Sequence, residues 1–96
     1  MRIEVCGIPH EVVFREPNSR DDGNYGKYDG KMATIYIDKS MPEAVRESVL
    51  VHEWMHGVYE QNGVAHEEQH VSVMAAELYR QGFRVKPLAE AGFGSE

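Results

Sequence analysis

Leu50-Val51-His52-Glu53-Trp54-Met55-His56-Gly57 places two histidines one helical turn apart, with a carboxylate directly after the first. The stretch sits inside a long helical pattern. Ser40-Met41-Pro42-Glu43 opens it and Asn62-Gly63 ends it. Ser40 followed by Glu43 reads as a capping box, and Pro42 is tolerated in a first turn. Val45, Val49, His52, His56 and Tyr59 recur at steps of four and three. That spacing predicts an amphipathic helix whose buried stripe carries both histidines.

The residues before this helix read as strands. Over 2–6, Ile3 and Val5 share one face, and Gly7-Ile8-Pro9 punctuates the run. Val12, Val13 and Phe14 make a β-branched and aromatic strand over 11–15. Segment 17–24 is rich in turn formers and reads as a loop. Asp29-Gly30 between extended runs over 25–28 and 32–38 is a hairpin signal. In the second run Ala33, Ile35 and Ile37 share a face, and Thr34 and Tyr36 share the other. A second helix is expected over about 66–81, closed by Gly82, with Val71, Met74, Ala75 and Leu78 on its buried face. Residues 83–88 form a last extended segment, and 89–96 a loose tail. Strands first and helices second predict an α+β domain, a small antiparallel sheet packed on two C-terminal helices. At 96 residues the chain has the length of one domain.

Histidines at i and i+4 project from one helix face and can reach the same ion. Imidazole is the usual nitrogen ligand of zinc. Glu53 is rotated by about 100° from His52, beside the ion rather than on it. From there it can take a proton from an attacking water and later deliver it to a leaving amine. Two histidines so spaced can also be core residues bonded to backbone; the Glu that directly follows the first favours metal. A catalytic zinc takes three protein ligands, and the second helix offers Glu67, Glu68 and His70. Periodicity alone does not choose among them, and carboxylates also favour helix N-termini through the dipole. His66 is a weaker candidate. Asn62 stands where an HExxHxxGxxH pattern would need its third histidine, which excludes that class.

The whole arrangement resembles the compact phage and prophage zinc metallopeptidases related to the ImmA/IrrE group, which are gluzincin-like zincins. Val5-Cys6-Gly7-Ile8-Pro9, Gly26-Lys27-Tyr28-Asp29-Gly30 into Ala33-Thr34-Ile35-Tyr36-Ile37, the His52 to His56 stretch and Glu68-Gln69-His70-Val71 with Met74-Ala75-Ala76-Glu77-Leu78-Tyr79 carry it. In that family the third ligand is a Glu in an E-x-x-[A/V] pattern, which falls on Glu68 with Val71. Ala-Asn commonly follows it there, where this chain has Val71-Ser72, so the match is partial and Glu67 stays an alternative. The resemblance implies a zincin-like fold over 1–96, with zinc held by His52, His56 and Glu68. It also implies an edge strand beside the site that pairs with extended peptide substrate. The run 32–38, directly before the helix, is the candidate strand.

Composition narrows the remaining classes. A formal net charge of −6 with scattered basic residues argues against nucleic-acid binding. No apolar run approaches membrane-spanning length. The N-terminus lacks an apolar signal region, and a lone cysteine fits a reducing, cytoplasmic setting. Cys6 reads as a small buried side chain. Tyr36, Tyr59 and Tyr79 are candidate phenols for oxyanion stabilisation, though packing explains each as well. Trp54 lies off the stripe and reads as a cover for the sheet or a partner. The main expectation is a zinc endopeptidase acting on peptide or protein, with Glu53 as general base and acid. The rivals are a catalytically silent zinc-binding phage scaffold and an acidic partner of DNA-binding proteins.

Overall fold

Alternating apolar residues build the first hairpin. β1 (Arg2–Val5) buries Ile3 and Val5 and pairs antiparallel with β2 (Ile8–Arg15), which buries His10 and Val12. The structure, a computed structural model, describes residues 1–16 and 25–89. The expected loop over 17–24 and the tail from 90 onward lie outside the described residues. Cys6 and Gly7 form the two-residue turn, both with positive φ (51° and 83°), as a type I′ hairpin requires. Such a turn points its central side chains outward. Cys6 is accordingly exposed, not the buried residue expected. Pro9 stands inside β2 rather than ending a strand.

β3 (Gly26–Asp29) and β4 (Thr34–Asp38) form the second hairpin, joined through the turn residues 30–33. The sheet order is β1-β2-β4-β3, and β4 runs parallel to β2. The sheet is therefore mixed, where an antiparallel one was expected. β4 buries Ile35 and Ile37 and takes an interior position between β2 and β3. β3, with Gly26 and Tyr28, is left at the edge. The run expected to offer an edge beside the active helix is thus bonded on both sides, and β3 is the edge strand on that side of the sheet.

α1 (Glu43–Gln61) lies across β1, β3 and β4, and α2 (Glu68–Arg80) packs chiefly on α1. The helices are stacked in succession on the sheet rather than sharing it. Ile3, Val5, Val12, Ile35, Ile37 and Leu50 form the core under α1. Val51 and Met55 meet Val71 and Ala75 in a second cluster. Sandwiched in this way, α1 buries two faces. The expected stripe of Val45, Val49, His52, His56 and Tyr59 lies along their border, half-buried except for exposed Val45. Met74 is exposed as well, against expectation, because α2 buries only Val71 and Ala75.

Both helices end as read. Gly63 (φ 67°) follows the cap Asn62, with Val64 N–H donating to the Tyr59 carbonyl and Gly63 N–H to that of Glu60. Gly82 (φ 97°) closes α2 in the same way. These are Schellman turns, which need the left-handed residue that glycine supplies. The N-terminus of α1 differs from the reading. Ser40 hydrogen-bonds to Asp38, Pro42 is the N-cap, and no side chain caps the helix. The last described segment touches β1 through a bridge from Ile3 to Pro87, with Leu88 N–H donating to the Arg2 carbonyl.

Candidate metal centre

His52 and His56 leave α1 on successive turns, and their ring centroids are 4.9 Å apart. The chain then turns back at Gly63, so that Glu68, the first residue of α2, returns to the same place. Its carboxylate spans the two rings: His52 Nε2 is 2.7 Å from Oε2, and His56 Nε2 is 2.9 Å from Oε1. The three residues can each offer a donor atom within 4.8 Å of the others. Two imidazole nitrogens and one carboxylate make a donor set that can hold a divalent metal ion. Ligands around a zinc-sized ion stand about 3.4 Å apart, given bonds of roughly 2.1 Å. The present spacings therefore need only a small outward adjustment.

The electrostatics favour ligation. Burial holds the His56 imidazole below its ordinary pKa, against the hydrogen bond to Glu68. The neutral ring is the form that binds metal. Burial opposes ionisation of Glu68, but the charge of His52 and hydrogen bonds from His56 and Ser72 outweigh it and lower its pKa. Glu68 also lies at a helix N-terminus, where the dipole favours a carboxylate.

Glu53 lines the same cavity as the histidines and is not part of the donor group. It is only 7% exposed and lies between the sheet-facing side of α1 and the histidines. Its carboxyl is pushed up to about 7, first by burial and then by the charge of Glu68. β3 passes close by. A Cβ built on Gly26 would meet Val49 Cγ1 at 2.6 Å and Glu53 Oε2 at 3.2 Å, so glycine there lets the edge strand reach the carboxylate. Sequence reasoning missed Gly26 and Tyr28. The Tyr28 hydroxyl hydrogen-bonds His10 Nε2 (2.9 Å) and accepts from Gln61 Nε2 (3.1 Å). It thereby ties β3 to β2 and to the end of α1. A glycine at an inward-facing strand position was the available signal.

A cavity of about 650 Å³ opens over this group, lined among others by Gly26, Tyr28, His52, Glu53, His66 and Glu68. Glu67 is the N-cap of α2 and is not part of the donor group. His70 instead pairs with the Tyr59 hydroxyl at 3.0 Å. His66 lies against the far nitrogen of His56, Nδ1 to Nδ1 at 2.7 Å. Tyr36 stands on the opposite face of the sheet beneath the Arg15 guanidinium. Tyr79 bonds to Glu47. Trp54 covers part of the sheet, its Nε1–H donating to the Glu4 carbonyl, and packs on Phe83. None of these three lines the cavity. Among the described residues, no helix is long and apolar enough to cross a membrane.

Comparison with protein-family models, with curated proteins and with solved structures finds no match for this chain. The geometry of the site carries the functional argument alone.

Proposed function

We propose that the protein is a zinc-dependent endopeptidase of the zincin type, related to the compact phage metallopeptidases of the ImmA/IrrE group and working in the cytoplasm. The observation that carries this reading is a buried carboxylate, Glu53, that lines the same cavity as a two-histidine, one-glutamate donor group. Three protein donors also leave a position for water, as catalytic zinc sites do.

His52, His56 and Glu68 would hold the ion. When bound, zinc supplies a Lewis acid that activates water and polarises a carbonyl. Glu53 accepts the proton of the attacking water and returns it to the leaving amine. The edge strand β3 offers backbone groups to an extended peptide, and strand addition of this kind tolerates varied sequence.

The test is a peptide-library and denatured-protein digest read by mass spectrometry, run on zinc-loaded wild type and Glu53→Gln. The amide preserves shape and zinc but not basicity. It should lower cleavage by at least the roughly 10²–10⁴-fold typical of general acid–base groups. Equal cleavage by both proteins removes Glu53 from the mechanism. A second reading, a zinc-stabilised scaffold without turnover, draws support from α2, where only Val71 and Ala75 are fully buried. It is the outcome if wild type retains zinc and cuts nothing.

A further inference from the structure

The contact between His56 and His66 has chemical content beyond the donor group. His66 lies in the connection between the helices, half-buried. Its Nδ1 is 2.7 Å from His56 Nδ1, and the rings meet edge to face at 5.0 Å and 64°. Tyr59 flanks it, ring centroids 6.5 Å apart, and is itself held by His70. His56 turns its other nitrogen, Nε2, to Glu68.

A neutral imidazole carries one proton. If Nε2 is given to a metal ion, that proton sits on Nδ1 and needs an acceptor. Metal-bound histidines almost always donate their second N–H to a carboxylate, a carbonyl or water, and this fixes ring orientation and tautomer. Here the group at hydrogen-bond distance is another imidazole. We propose that His66 is a positioning residue for the metal centre: its Nδ1 accepts the hydrogen bond from His56 Nδ1–H and so presents His56 Nε2 to the ion. The inference rests on the metal reading of the site. It also explains why His66 is not a ligand. Its Nδ1 is engaged by His56, and it is outside the donor group.

Two substitutions separate acceptor from bulk. His66→Phe keeps a ring without an acceptor. His66→Asn places a carbonyl oxygen where Nδ1 stands. Competition titration with a chromophoric chelator should show zinc affinity falling about 10- to 100-fold in His66→Phe and returning to within about threefold of wild type in His66→Asn. In zinc-loaded wild type, long-range ¹H–¹⁵N spectra should show the proton of His56 on Nδ1 and that of His66 on Nε2. This measurement needs neither variant to fold nor any substrate. Unchanged affinity in His66→Phe, equal losses in both variants, or an unprotonated His56 Nδ1 would each overturn the proposal while leaving the metal site standing. Absence of zinc binding by wild type would remove the site reading and the inference together.

Discussion

A single buried carboxylate makes the metal-free protein sensitive to pH. Folding raises Glu53 from 4.5 to about 7, so between those values the folded chain keeps a proton that the unfolded chain has released. The Glu53 contribution to stability should therefore fall as pH rises through that window and level off above it, against the opposite trend from His56, whose pKa burial lowers. Glu53→Gln should remove this downward contribution, leaving the opposite trend that the depressed His56 pKa imposes, and stabilise the chelated protein near neutral pH, by up to about 3 kcal/mol. Thermal melts in chelator at about pH 5 and about pH 8 check this, and parallel curves for the two proteins would contradict the assigned shift. At the third ligand, Glu68→Ala should weaken zinc binding beyond the roughly 10- to 100-fold typical of outer contacts, whereas Glu67→Ala should leave it nearly unchanged. Isothermal titration distinguishes them, and the reverse order would move the ligand by one residue. His52, Glu53 and His56 were legible in the sequence because helical spacing alone sets their relation. Glu68 against Glu67 was not legible from periodicity, since the choice depends on how the connection after Gly63 returns the chain to α1. The buried stripe misled because periodicity assumes one covered face, and α1 has two.

The elements meet where side chains are smallest. Gly57 lies mid-helix, where alanine would ordinarily help by about 1 kcal/mol. Its added Cβ would stand 2.7 Å from Tyr28 Cε1 and 3.0 Å from Val5 Cγ1. Val5 is fully buried in β1 and cannot yield. Overpacking of this kind costs roughly 1–3 kcal/mol, so Gly57→Ala should be destabilising on balance, and Tyr28 should lose its bond to His10. Urea titration gives the first result and tyrosine hydroxyl exchange the second; a stabilised variant would mean that β3 rides loosely on α1. The helix C-termini were legible because Asn62-Gly63 and Gly82 are demanded by local backbone geometry. The start of α1 was not, because Asp38 takes the hydroxyl of Ser40 that the capping box needed. Strand order was hidden for a related reason. A parallel pairing such as β2 with β4 has no turn residues of its own to announce it.

At the scale of the molecule, the donor group joins two helices whose shared apolar contact is thin. An ion that binds only the folded form adds about 2.7 kcal/mol when free metal is at about 100 times Kd. For a domain of this size that corresponds to a melting shift of roughly 10–20 °C. Zinc should raise Tm by this order and a chelator should reverse it; a Tm indifferent to both would exclude ligation by the native state. The α+β class was legible from the order of patterns along the chain, but the stacking of sheet, α1 and α2 was not, since each helix pattern records burial without naming the neighbour. Among the described residues, the sheet edge beside the donor group is β3, four residues long. At about 3.4 Å per residue it spans on the order of 13 Å, and in an antiparallel pairing only alternate residues turn both backbone groups outward. A visiting chain finds few bonds there, far fewer than it would surrender by leaving a helix or sheet of its own. On the proposed reading, a peptide that docks there must arrive already extended. Selection would then fall on the conformational freedom of the client rather than on the order of its side chains, and well-folded neighbours would pass untouched.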